Sequence, residues 1–182
     1  MKKIWIVLLL VPFVSFGQKN SLAISAGVVV PYGILKSSAS TGWENGFYFQ
    51  HDFNRYFSGI AEVGTALFGE KTTTLTSPPI SISTDIHTIP LQVGAKFHLT
   101  NNYDAYRSLY VLGELGAVVL TGKVKVNGSD QSPPNETDFG YLYGVGYEIR
   151  RFDLSYRQQF LVASGSTITY FSFRVSVVCF QK

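Results

Sequence analysis

The segment from Phe139 to Phe160 reads FGYLYGVGYEIRRFDLSYRQQF. Phe139, Tyr141, Tyr143, Val145, Tyr147 and Ile149 share one parity, and Gly140, Leu142, Gly144, Gly146 and Glu148 share the other. That is the two-residue period of a strand and not the 3.6-residue period of a helix. The alternation breaks at Arg150-Arg151 and restarts with Phe152, Leu154 and Tyr156 opposite Asp153, Ser155 and Arg157. Two such runs joined by a dipeptide predict a tight hairpin, with one apolar face and one face of glycine and charge.

The same pattern extends over the rest of the chain. Eight strands are predicted near Leu22 to Val30, Gly46 to Phe53, Tyr56 to Phe68, Asp85 to Leu99, Leu109 to Val124, Asp138 to Ile149, Phe152 to Leu161 and Thr167 to Phe180. Most are longer than the usual strand of about 5 to 6 residues. The connections alternate in length. Asn54-Arg55, Thr100 to Ser108 and Arg150-Arg151 are short, whereas Pro31 to Asn45, Gly69 to Thr84, Lys125 to Thr137 and Val162 to Ser166 read as exposed loops rich in Ser, Thr, Gly, Asn and Pro. Short turns at one end and longer loops at the other is the layout of an outer-membrane barrel, with its turns in the periplasm.

Met1 to Gly17 is set apart from this pattern. Lys2 and Lys3, an apolar run from Ile4 to Val14 and the small-x-small sequence Ser15-Phe16-Gly17 predict a secretory signal peptide. The apolar run is too short for a membrane-spanning helix, which needs about 20 residues. Domain 18–182 remains. Without Lys2 and Lys3 the chain has 13 basic residues (15 less 2) against 12 acidic ones. A balance so close to neutral gives no pull toward nucleic acid. Cys179 is the single cysteine, so no internal disulfide can form.

Parity fixes which residues share a face, but not which face meets water. A soluble lipocalin-like barrel keeps its apolar residues inside, and a membrane barrel keeps them outside. Two features favour the membrane barrel. The non-apolar face carries Gly and isolated charges and little of the Lys, Thr and Asn that cover a watery surface. Aromatics also gather beside the short turns: Phe53, Tyr56, Phe57, Phe97, Tyr103, Tyr106, Tyr110 and Phe152. Amphipathic rings favour the membrane interface, so these predict a girdle at the periplasmic side. The fold class expected is all-β, an eight-stranded antiparallel up-and-down transmembrane β-barrel.

Together with the signal peptide, the stretch IPLQVGAKFHL and the C-terminal strand YFSFRVSVVCF, this pattern resembles the small outer-membrane β-barrel domain family of Bacteroidetes-type bacteria. The resemblance implies an outer-membrane location and an assembly signal in the form of an outward aromatic closing the last strand. Phe180, however, shares the parity of Arg174 and Ser176. Either a bulge near Val177-Val178 shifts the phase, or the signal is imperfect.

The inward set is the strongest clue to function. Asp52, Glu62, Glu114, Glu148 and Asp153 stand against Lys96, Arg157 and Arg174, with His98 near the periplasmic end. An eight-stranded barrel has an interior just wide enough for side chains, and unpaired charges are costly there. These residues therefore read as a salt-bridged network filling the lumen; a proton or ion path along them is the alternative. An enzyme site on the barrel wall could draw on His87 with Ser81, Ser83 and Asp85, although a His at the membrane interface accounts for the same residue. The Gly144-Val145-Gly146 triplet lacks the third Gly and the helix that phosphate cradling needs. No His/Cys/Asp cluster has metal-ligand spacing, and no cofactor is implied. Lys123 to Asp138 reads either as a solvated loop or as a hairpin extending above the membrane.

The function expected is non-enzymatic: a structural or interaction role at the cell envelope through the loops. Its partners are outer-membrane lipid or lipopolysaccharide and other envelope proteins. The alternatives are an accessory subunit of a secretion or transport assembly, a lipid A-modifying barrel enzyme, and a soluble periplasmic lipocalin-like binder.

Overall fold

The computed structural model describes residues 19–76, 79–100, 107–131, 135–163 and 166–182. The predicted signal peptide 1–17 and the girdle residues Tyr103 and Tyr106 lie outside them. Ten strands and one helical turn are present: β1 Lys19–Tyr32, α1 Leu35–Ser38, β2 Ser40–Asp52, β3 Phe57–Gly69, β4 Lys71–Thr76, β5 Pro79–His98, β6 Arg107–Val126, β7 Ser129–Asp130, β8 Glu136–Ile149, β9 Phe152–Ala163 and β10 Ser166–Gln181. Eight of these close a barrel in the order β1-β2-β3-β5-β6-β8-β9-β10, every pairing is antiparallel, and β10 returns to β1. The eight-stranded antiparallel barrel expected from parity is the fold observed.

The two additional strands correct the loop assignments. β4 pairs with the first residues of β5, from Lys71 opposite Thr84 to Thr76 opposite Pro79. β5 and β6 stay paired as far as Ile82 opposite Val126, and β7 folds back on β6. Asn127 and Gly128 both have positive φ, 49° and 82°, as a two-residue hairpin turn with primed geometry requires. Thr and Ser made these segments look like loops, but β-branched Thr suits an extended strand. The segment Pro31 to Asn45 is likewise not one loop, since β1 and β2 run into it and α1 turns between them, burying Leu35 and Ala39.

Parity places the apolar residues outside. Leu91, Phe47, Tyr143, Phe173 and many others are about half exposed, while Gln92, Lys96, Glu62 and Arg157 are buried. This rules out the lipocalin arrangement. Along β5 and the residue that follows it the greasy face runs from Ile89 to Leu99, a span of about 25 Å at strand rise and ordinary barrel tilt, matching the lipid-facing band of such barrels.

The C-terminal phase problem is resolved by a bulge. Leu22 pairs with Phe180 and Ala23 pairs with Val178, so Cys179 is the extra residue. Phe180 then faces outward at 57% exposure, and Val178 turns in to pack on Tyr48 and its neighbours.

Inside, glycine makes room for large side chains. Gly146 pairs directly with Tyr110, and a Cβ there would lie 2.2 Å from the phenol ring. Gly113 faces outward, with nothing nearer than 3.9 Å to such a Cβ. Gly146→Val is therefore expected to destabilise the barrel by about 1–3 kcal/mol through overpacking, whereas Gly113→Ala leaves it within about 0.5 kcal/mol. Urea unfolding in detergent micelles measures both.

Candidate functional site

The lumen is filled in layers. At the loop end Val29, Leu35, Ala66, Phe68, Val118, Leu161 and Tyr170 form an apolar layer, with Phe68 set edge-on to Tyr170 at 5.1 Å. Burial without unsatisfied polar groups is inexpensive there, because these side chains bring none beyond the Tyr hydroxyl.

Below it lies the first charge layer. Arg157 NH1 is 2.7 Å from Glu62 Oε2 and 3.4 Å from Glu114 Oε1, and its Nε donates to Ser155 Oγ at 3.2 Å. Arg174 reaches Glu62 Oε2 at 2.6 Å through NH1 and Glu44 Oε1 at 2.9 Å through Nε. Glu62 is thus clasped by two guanidiniums, and Glu114 has one long contact. Glu44 was missed in the sequence because β2 was begun at Gly46. Its signal is the parity of Gly46, Tyr48 and Gln50 carried two residues further back.

A second cluster lies nearer the short turns. Lys96 Nζ donates to Glu148 Oε1 at 2.8 Å and to Asp153 Oδ2 at 2.7 Å. It also sits 4.9 Å from the Tyr48 ring and 4.5 Å from the Tyr110 ring. Both phenols donate to Asp153, Tyr48 at 3.1 Å and Tyr110 at 2.6 Å. Tyr110 therefore does not belong to the aromatic girdle: it is fully buried, in the space that Gly146 leaves.

Asp52 is placed apart from both clusters. It closes β2 and accepts hydrogen bonds from Gln50 Nε2 at 2.8 Å and Ser58 Oγ at 2.7 Å. From Ser58 the chain of bonds continues to His98 Nε2 at 2.9 Å, and from His98 Nδ1 to Ser108 Oγ at 2.8 Å. Ser58 gives its one proton to the Asp52 carboxylate, and Ser108 gives its own to the Thr100 carbonyl at 2.7 Å. His98 thus bridges Ser58 on β3 and Ser108 on β6 near the short-turn end of the lumen.

His87 assembles no Ser-His-acid set among the described residues. Its Nε2 lies 3.3 Å from Asp85 Oδ2, but Ser83 bonds to Glu70 and no serine hydroxyl reaches the His87 ring among the described residues. Of the girdle residues, Tyr56, Phe57, Phe97 and Phe152 are exposed at the short-turn end, and Phe57 pairs across the sheet with Phe97. Phe53 is half-buried, stacked on Phe57 at 5.6 Å and lying over Gly59.

At the loop end the faces exchange character. On β5 the outward residues change from Leu91 and Ile89 to His87, Asp85 and Ser83, while the inward ones change from Lys96 and Gln92 to Ile86 and Ile82. On β6 the outward residues change from Leu115 and Val119 to Thr121, Lys123 and Lys125, and the inward ones from Glu114 to Leu120, Val124 and Val126. The two switches coincide in register, since Ile89 pairs with Val119 and His87 with Thr121. Beyond that line the β5-β6 ladder has a polar outer face and a largely apolar inner one, as it should where lipid gives way to water.

The first charge layer sets three carboxyls against two guanidiniums, and the contacts are unequal. Glu62→Gln removes the carboxylate shared by two buried arginines, leaving Arg174 to Glu44 and Arg157 to its long contact with Glu114, and is expected to cost about 3 kcal/mol. Glu114→Gln, losing only the 3.4 Å contact, is expected to cost under about 1 kcal/mol. Urea titration of the two variants side by side reads the difference; equal losses would refute the assigned pairing.

No family model matches the chain, and no curated protein matches it in sequence. Its backbone is similar to that of Ail, the attachment invasion locus protein of Yersinia pestis, at 17% identity and a TM-score of 0.57 over 92% of this chain and 100% of that one. It is similar also to Neisserial surface protein A, at 14% identity and a TM-score of 0.54 over 91% of this chain and 100% of that one. A third likeness is to the N-terminal β-barrel domain of Pseudomonas aeruginosa OprF, at 12% identity and a TM-score of 0.51 over 89% of this chain and 99% of that one. At such identities the likeness is one of fold, and the fold is that of the small outer-membrane β-barrels.

Proposed function

We propose that the chain is exported by its signal peptide 1–17 and inserted in the outer membrane as domain 18–182, where it acts without catalysis as a closed barrel that presents a binding surface to the exterior. The strand motifs ally it with the Bacteroidetes-type small barrels. The observation that carries the reading is the reversal of face polarity at Ile89/His87 and Val119/Thr121. A barrel needed only as a membrane plug could end at that line. This one continues above it in β4, the first third of β5, the end of β6 and β7, with a backbone edge on β4 that has no strand partner among the described residues. Such edges and loops on a rigid scaffold are where partners bind, and the partners proposed are lipopolysaccharide and other envelope proteins.

The layered lumen supports the closed state. An apolar layer above two ion-paired layers favours a lumen closed to ions over a proton or ion path. Planar bilayers containing the pure protein are expected to show no stable open level; large, steady currents with the loops unaltered would sink the filled-lumen reading.

The interaction role is tested in cells. The protein is expected to fractionate with the outer membrane and to require detergent for release. A photo-crosslinking residue at Lys125, exposed on the outer face of β6, is expected to capture lipopolysaccharide or an envelope protein, and one at the lipid-facing Leu115 is not expected to give the same adduct. Identical adducts at the two positions, or none at Lys125 and its neighbours, would leave a purely structural barrel.

A further inference from the structure

One position on the lipid-facing wall breaks the apolar series. The outward residues of β9 are Phe152, Leu154, Tyr156, Gln158, Phe160 and Val162. Gln158 stands six residues beyond Phe152 on that face, about 15 Å from the short turns at strand rise and ordinary tilt, and Phe160 and Val162 follow it toward the loops. Its amide therefore lies within the hydrocarbon band, where a polar group without a hydrogen-bond partner is costly.

That amide is half satisfied. Tyr143, directly opposite on β8, donates its hydroxyl to Gln158 Oε1 at 2.6 Å. Nε2 makes no hydrogen bond among the described residues. A side-chain amide has two N–H groups to donate and a carbonyl oxygen that accepts two bonds, so both N–H groups and one lone pair of Oε1 are left over. The rings on either side form flat ground: Tyr141 stacks on Phe160 at 4.8 Å and 9°, and Tyr156 stacks on Phe171 at 5.8 Å and 13°. Phe171 reaches Gln158 from β10 as Tyr143 does from β8, so the amide stands between two aromatic plates.

A second Gln158 is at once the acceptor and the donor that this amide lacks. Across a two-fold axis parallel to the membrane normal, each Nε2 donates to the free Oε1 lone pair of the other, and β8 of one copy faces β10 of its partner. Such a contact is self-complementary, as a two-fold interface requires. In a bilayer, where apolar surfaces gain little by leaving lipid, side-chain hydrogen bonds and close packing are what hold spanning segments together. We propose that the outer face of β8, β9 and β10 is a contact between two copies of this chain in the membrane, closed by a reciprocal Gln158 amide pair.

The test uses the full mature chain with Cys179→Ser, refolded into dimyristoyl phosphatidylcholine vesicles. Copies carrying donor and acceptor dyes at Lys125→Cys are mixed and diluted with lipid. Energy transfer is expected to exceed random co-localisation and to fall along a dimerisation curve, and Gln158→Leu, which leaves an apolar residue facing lipid, should weaken the dimer about tenfold. A second arm places the cysteine at Tyr156, beside the intact amide, or at the lipid-facing Val93 on β5; oxidation should link the first into dimers and not the second. Heat-modifiable mobility on gels verifies that each variant is an inserted barrel, so a failed contact is distinguishable from a failed membrane reading. Transfer no greater than random, as when an outer-leaflet lipid oxygen covers the amide, overturns the proposal. So does a Gln158→Leu dimer as tight as the parent, or equal cross-linking at Tyr156 and Val93.

Discussion

Every peptide group inside a bilayer has to find its hydrogen-bond partner within the protein, because the hydrocarbon offers none. β-strands meet that demand only when the sheet closes, and here closure rests on the pairing of β10 with β1 along nearly their whole lengths. The remaining architecture follows from it. Eight strands fix a narrow bore, which leaves inward side chains packed against one another without bulk water. Charged residues on that face must then be paired within the lumen, and the pairs have to be found across the bore rather than along a strand. Arg157 on β9 meets Glu62 on β3 and Glu114 on β6, and Arg174 on β10 meets Glu44 on β2.

The bore also explains the glycines. A ring as large as that of Tyr110 fits inward only where the residue beside it has no side chain, and Gly146 is that residue. With the ring in place, the Tyr110 hydroxyl reaches Asp153, and Lys96 lies against the ring face. Removal of space at one glycine on β8 thus acts on an ion pair that spans β5 and β9. Packing and electrostatics in this lumen are not separable contributions.

Much of this was legible in the sequence, and the reason is the period of two. Once Phe139 to Phe160 is read as a hairpin, parity alone assigns Lys96, Glu114, Asp153, Arg157 and Arg174 to the inner face. Parity says nothing about where a strand stops, so Glu44 was lost with the first residues of β2, β4 was read as a loop from its Ser, Thr and Pro content, and the hairpin holding β7 was one of two readings left open for Lys123 to Asp138. Nor does parity survive a bulge. Phe180 fell on the wrong face until the extra residue Cys179 was seen in the register between β1 and β10. Tyr110 shows the converse: parity put it inside, and the habit of aromatics to collect at an interface suggested outside. Pairing across the bore is invisible to sequence, because Arg157 and Glu62 are 95 residues apart.

The polarity switch bears on where the molecule can have evolved a function. Between the short turns and the line through His87 and Thr121, the outer face is constrained by lipid and the inner face by the need to pair charges in a confined space. Neither face can present a polar group to a partner without a large cost. Above that line both constraints lapse together. There the chain keeps a feature that closure does not require: β5 and β6 run on as a paired ladder, flanked by β4 and β7. Membrane occupancy alone gives no physical reason for that extension, which is why the proposed binding surface lies above the line, on a lumen that serves as a rigid support.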